Sequence, residues 1–98
     1  MDRYWSTPYR AANYALDNQM LDKAREWINT STALKKVYWN MLLKAKIYKQ
    51  MARTKNEIKD AVNMLKEAIL LGKELPEEQQ QYVEAGKKLL DEWTAKKK

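Results

Sequence analysis

The chain is predicted to be all-α, with five helices folded as an antiparallel array of α-hairpins. Three observations carry that expectation. Small residues at helix-packing positions occur as a set, Ala12, Ala24, Ile28 and Ser31, and recur as Ala45, Ala61, Leu65 and Ala68, with Gly86 inside a last amphipathic stretch. The offsets are 33 residues from Ala12 to Ala45 and 37 from Ala24 to Ala61, close to the length of one helix-turn-helix unit. Only two glycines and two prolines occur in 98 residues, too few for the turns of a sheet, and Lys, Leu, Ala, Glu, Gln and Met, which together dominate the chain, are good helix formers. Finally, apolar residues recur at three- and four-residue steps along most of the chain.

The elements follow in order. Ser6, Thr7 and Pro8 read as a cap followed by proline in the first turn, so helix one is expected from Tyr9 to about Asp17, ended by Asn18 and Gln19. Helix two is expected over 20–33, with Leu21, Ala24, Trp27, Ile28, Ser31 and Leu34 on its inward stripe. Helix three follows over 36–52. Thr54 and Glu57 have the spacing of a capping box, which starts helix four near Lys55. Its stripe is Ile58, Ala61, Val62, Leu65, Ala68 and Ile69, and Gly72 is expected to end it in the left-handed conformation. Pro76, Glu77 and Glu78 open helix five with negative charge at the positive dipole end. Its stripe is Tyr82, Val83, Gly86, Leu89, Leu90 and Trp93. Lys96, Lys97 and Lys98 read as a frayed, solvated tail.

Composition excludes several functions. Cysteine and histidine are both absent, which removes disulfides, thiolate or imidazole metal ligands and the usual nucleophile-base pairs. Ser6 and Ser31 have no histidine to activate them, the carboxylates are scattered among lysines, and no glycine-rich phosphate loop or calcium-loop spacing occurs. No catalysis, cofactor or metal is expected. The longest apolar run is Ala68 to Leu71, where a membrane span needs about 20 residues. Met1 to Arg10 lacks a signal peptide's apolar stretch. A soluble single domain over 1–98 is therefore expected.

The small-residue pattern resembles the tetratricopeptide repeats. In that family a small residue late in helix A packs against one early in helix B, with another seven positions on. Ala12 and Ala24, followed by Ser31, correspond in a first repeat (8–34). Ala45 and Ala61, followed by Ala68, correspond in a second (36–72), with Tyr48 at the family's aromatic position and Met41 at the usual tryptophan. Tyr82, Gly86 and Leu89 fit the helix A of a half repeat or capping helix (76–95). The resemblance covers nearly the whole chain, as about two and a half repeats. Pro8, where a large apolar residue is usual, Lys44 in place of a leucine, and about four extra residues around Thr54 to Glu57 depart from it. The segments WSTPYRAANYAL and YWNMLLKAKIY are also similar to a short repeat region at the end of a family of exported bacterial proteins, behind a β-rich domain. That likeness implies a periplasmic or extracellular accessory module; without it a cytoplasmic one is equally open.

Tetratricopeptide proteins bind mainly through the concave helix A positions. The resemblance implies Tyr9, Asn13 and Leu16 in the first unit, Trp39, Leu42, Lys46 and Lys49 in the second, and Val83, Lys87 and Leu90 in the half repeat. Asn13 matches the one locatable asparagine of the family's carboxylate clamp, but the clamp's basic positions fall on Tyr9, Gln80 and Glu84, so recognition of a free C-terminal carboxylate is not expected. Helix three can be read without the family. At 100° per residue, Lys35, Trp39, Leu42, Lys46, Lys49 and Arg53 share one arc, beside a core face of Val37, Met41, Ala45 and Tyr48. Residues 1–53 hold ten Lys and Arg against four Asp and Glu, whereas residues 54–98 hold nine of each. All of the net charge of +6 therefore lies in the first half, and Lys35 to Arg53 contains six cations and no acid. A positive stripe around Trp39 and Leu42 suits an acidic or amphipathic protein segment. Trp27 and Trp93 are expected in the core, Trp5 with Tyr4 over the open end of the first hairpin, and Trp39 as an exposed anchor. Two other readings stand beside this one. The chain could be a structural module that packs on a neighbouring domain or on itself through Leu16, Leu42, Val83 and Leu90, as a monomer or weak homodimer. It could also bind nucleic acid weakly, its cations tracking phosphates while aromatics stack on bases.

Overall fold

A computed structural model describes residues 3–95, and the tail lysines lie outside them. The described chain is all-α: α1 (Arg3–Asp17), α2 (Leu21–Leu34), α3 (Tyr38–Met51), α4 (Lys55–Gly72), a 3-10 turn at Glu77–Gln79, and α5 (Gln80–Thr94). No strand occurs among these residues.

Short connections make consecutive helices antiparallel, and the most extensive packing is of α1 on α2 and of α3 on α4. The contact between α2 and α3 joins the two hairpins, and α5 packs on α4. The molecule measures 47 × 34 × 20 Å. Its least dimension is two helix diameters, so the helices form a slab two layers thick.

Two apolar clusters fill the slab. Ala12, Ala15, Ala24, Ile28, Leu43 and Ile47 form the first, among α1, α2 and α3. Tyr38, Met41, Ala68 and Val83 form the second, among α3, α4 and α5. The helix α3 supplies both and is therefore the central helix, apolar on two opposite sides. All eight small or apolar residues of the recurring set are buried. Complete burial of a side chain such as Ile28 or Leu65 contributes roughly 1.5–3 kcal/mol.

Several local expectations are corrected. The helix α1 begins at Arg3, not Tyr9, and Pro8 lies inside it. Proline has no N–H for the carbonyl four residues back and crowds that turn. The neighbouring carbonyl, that of Trp5, accepts a bond from outside the helix, from Ser31 Oγ at 2.7 Å, and the ring of Pro8 is itself buried. The last residue of α4, Gly72, does not have a positive φ. It is buried because a Cβ there would lie 2.7 and 3.0 Å from the Val83 methyl carbons and 3.2 Å from Tyr38 Cδ1. Among the described residues the one positive φ, 59°, belongs to Gln19 in the α1–α2 turn. Trp27, Leu34 and Ile58 are exposed rather than on buried stripes.

The caps explain the remaining boundaries. The Glu57 amide donates to Thr54 Oγ1 at 3.1 Å, and the Glu57 carboxylate accepts from the Arg53 amide at 2.6 Å, one residue before the cap. At the end of α4, Gln80 Nε2 donates to the carbonyls of Gly72 (3.0 Å) and Leu75 (2.9 Å). These are carbonyls a helix end leaves without partners. Pro76 leads into the 3-10 turn, and α5 proper starts only at Gln80.

Candidate functional site

The central helix α3 arranges one face of the slab. Its first turn packs against the first turn of α5: Tyr38 Oη donates to the Tyr82 carbonyl at 2.5 Å, and the Trp39 ring meets Tyr82 edge-on at 5.4 Å between centroids. Its last turn packs against the last turn of α5, where Lys49 Nζ lies 5.5 Å from the centre of the Trp93 ring. The two helices therefore run parallel, joined by an aromatic contact at one end and a cation–π contact at the other. The latter is worth about 0.5–1 kcal/mol at a partly exposed position. Lys46 is exposed on the same arc of α3 as Trp39 and Lys49.

The expected site residues divide by environment. Trp39 is half-buried, its ring between Tyr38 (5.1 Å) and Tyr82, so it is not the free anchor that its helical angle suggested. Tyr82 of α5 closes over one side of it. Leu42 is half-buried against the second cluster. Tyr9 and Leu16 are half-buried against the first, and burial pushes the Tyr9 phenol above its ordinary 10.0. Asn13 and Lys87 are exposed. Glu84 on the same helix pairs with Lys87 at 3.1 Å, and an exposed pair of that kind contributes little. Arg53 is exposed beyond the end of α3 and lines a separate depression with Gln19, Leu21, Asp22, Gln50 and Met51. It is thus displaced toward the α1–α2 turn. Of the residues named for self-packing, Val83 is buried and Leu16, Leu42 and Leu90 are half-buried.

No protein-family model, no curated protein and no solved structure matches this chain. The site therefore rests on its own geometry.

Three features of the seam escaped the sequence reading. Tyr38 is 1% exposed and touches both glycine-containing helix segments. Its signal was present, since Tyr38, Met41, Ala45 and Tyr48 continue one stripe at three- and four-residue steps. Trp93 receives the Lys49 cation, a contact across 44 residues that no local spacing reveals. Asn40 is fully buried. Its Nδ2 donates to Ser31 Oγ at 3.0 Å and to the Lys35 carbonyl at 2.7 Å, while its Oδ1 accepts from the Val37 amide at 2.9 Å. With Ser31 donating on to Trp5, this chain of bonds ties the starts of α1 and α3 to the end of α2. Every polar atom of Asn40 is satisfied, so its role is structural.

A cleft of about 240 Å³ lies away from the seam, among α2, α3 and α4, lined by Arg25, Tyr48, Met51, Ala52, Glu57 and Asp60. Among the described residues, no group of three or more acidic side chains is placed to hold a metal ion, and no helix is long and apolar enough to cross a membrane.

Proposed function

We propose that this chain is a tetratricopeptide-like protein-binding module, and that the face formed by α1, α3 and α5 holds an acidic or amphipathic protein segment. The observation that carries this reading is the α3–α5 seam, where Trp39, half-buried edge-on against the exposed Tyr82 of α5, shares an arc of α3 with Lys46 and Lys49. Trp39 and Leu42 offer apolar surface already fixed by neighbours, which lowers the entropy lost on binding. Lys46 presents an exposed ammonium, and Lys49 is held over Trp93 with its charge still available to a carboxylate. Asn13 and Tyr9 extend the face onto α1, and Lys87 onto α5. Arg53 stands apart and contributes long-range attraction rather than contact.

The test uses a phage-displayed library of random peptides selected on the wild-type chain, with the enriched peptides then titrated against Lys46→Glu. Lys46 is exposed, so its reversal leaves the fold intact. Enriched peptides should carry Asp or Glu flanking Leu or an aromatic residue, and should bind Lys46→Glu at least about tenfold more weakly, as loss of an interfacial charge pair predicts. Selection of peptides indifferent to both Lys46→Glu and Lys49→Glu would rule out this face. Preferential retention of single-stranded nucleic acid, abolished by nuclease, would favour phosphate binding by the same cations.

A further inference from the structure

The two ends of the slab differ in chemistry. At one end, α5 turns Val83 and Gly86 inward and leaves Gln81, Lys88 and Glu92 exposed on the opposite side. That is the polar surface of a terminal capping helix. At the other end, no helix among the described residues covers the outer edge of α1 and α2. Met20, at the cap of α2, and Trp27 and Leu34 within it stand at intervals of seven residues and are 45%, 43% and 56% exposed. They lie across the helix from Asn29, whose Nδ2 bonds to Tyr48 on α3. They therefore lie on the side of α2 away from α3. On α1, Tyr4 (71% exposed) and Ala11 lie opposite Tyr9 and Leu16, which pack toward α3. The outer edge of the first hairpin is thus apolar and aromatic, with Lys23 the one cation among the residues of α2 that share it.

We propose that this edge is a self-association surface, occupied by the same edge of a second copy in an antiparallel, two-fold arrangement of α2 against α2. Three properties select a second copy. The stripe is symmetric about Trp27, so a two-fold axis through it sets Trp27 against its counterpart and Met20 against Leu34. The same axis sets Lys23 near Thr30 of the other copy, so like charges are not opposed, although the first half of the chain carries the whole net charge. The polar outer side of α5 offers no apolar complement, so head-to-tail stacking into filaments is disfavoured against a closed dimer. The helices α1 and α2 have 15 and 14 residues, and two such helices side by side present about 440 Å² of projected edge per copy. The roughly 900 Å² from two copies lies below the size of stable specific interfaces, among weak and transient contacts, so the dimer is weak and concentration-dependent. The surface is separate from the α1–α3–α5 face and does not depend on what that face binds.

Sedimentation equilibrium of the full chain, from about 5 µM to about 1 mM, tests it over the range in which such small interfaces form. The mass should rise from 11.6 kDa toward twice that value and stop there. Trp27→Glu and Leu34→Glu, both at exposed positions, should keep the helical circular dichroism and weaken the dimer at least tenfold, while Lys46→Glu leaves it unchanged. A constant monomer mass at every concentration would overturn the proposal and assign the edge to an unlike protein. Mass rising beyond the dimer would overturn the two-fold arrangement, and a dimer equally strong in both edge variants would place the interface elsewhere.

Discussion

A methyl group on Gly86 would lie 2.7 Å from the Tyr38 hydroxyl oxygen, the same oxygen that donates to the Tyr82 carbonyl one turn earlier in α5. The phenol thus occupies the space a side chain at Gly86 would need, and the ring cannot retreat because Gly72 and Val83 stand close behind it. Alanine at an interior helix position normally gains up to about 1 kcal/mol over glycine. Here overpacking of about 1–3 kcal/mol outweighs that gain. Gly86→Ala should therefore destabilise the fold in urea titrations. Tyr38→Phe removes the oxygen, so the double variant should be more stable than the sum of the two single losses. Strict additivity would mean that the hydroxyl is not the obstacle.

Tyr38 and Tyr9 also make stability depend on alkaline pH. Burial raises both phenol pKa values above 10.0, opposed at Tyr38 by a backbone hydrogen bond from Gly86. A group whose folded pKa is raised contributes stability that is complete below its unfolded value and lost as pH rises through the folded one. The melting temperature should lose no tyrosine contribution between pH 7 and 9 and should fall beyond about pH 10. The Tyr9→Phe, Tyr38→Phe double variant should show a shallower fall. A slope unchanged in that variant would assign the alkaline loss to the lysines.

Asn40, Ser31 and the Trp5 carbonyl form a buried polar relay that either fails as a unit or holds as one. Ser31→Ala removes the side-chain donor to the Trp5 carbonyl, leaves one Asn40 N–H without a partner and should cost about 1–3 kcal/mol. Asn40→Ala should cost more, because it also empties a buried volume and strips the Val37 amide of its acceptor. Amide hydrogen exchange should localise the Ser31→Ala effect to the first two turns of α1, where Pro8 already removes a helix bond. Protection unchanged there would mean that α1 does not need the outside donor.

Gln19 adopts a conformation that suits glycine, with φ at 59° in a three-residue turn. Left-handed backbone costs an ordinary residue about 1–2 kcal/mol, and part of this is offset by the greater freedom of glycine in the unfolded chain. Gln19→Gly should raise stability by about 0.5–1 kcal/mol. Gln19→Val, β-branched at the same φ, should lower it. Thermal melts of the two variants moving in the same direction would contradict the turn geometry.

The contrast between Gln19 and Gly72 also indicates what could be read from the sequence. The stripes of Ala24 and Ile28, and of Ala61, Leu65 and Ala68, placed α2 and α4 correctly because those helices bury one simple face. Thr54 and Glu57 fixed the start of α4 because a capping box is local chemistry. The central helix was harder, since α3 is apolar on two sides and its periodicity does not say which residues meet which neighbour. Gly72 was misread because its glycine serves close packing against Val83, a partner eleven residues away across a turn, and not a left-handed end. Trp27 was placed inside because it continues a stripe, although no other helix among the described residues covers that edge of α2. The basic arc on α3 was visible in the spacing of Lys46 and Lys49, but the two aromatics of α5 that hold Trp39 and Lys49 were not.

Those two lysines should separate by function. Lys49 is half-buried over Trp93, so Lys49→Ala removes a cation–π contact and should cost about 0.5–1 kcal/mol. Lys46 is exposed, and Lys46→Ala should stay within about 0.5 kcal/mol of the wild type. If the α3 face attracts acidic segments, both substitutions should weaken binding of a selected acidic peptide, and the wild-type affinity should decline with salt, since exposed charges are screened over about 10 Å at 0.1 M. Binding reduced only by Lys49→Ala, in proportion to the lost stability, would mean that Lys49 acts by holding Trp93 in place and not by meeting a carboxylate.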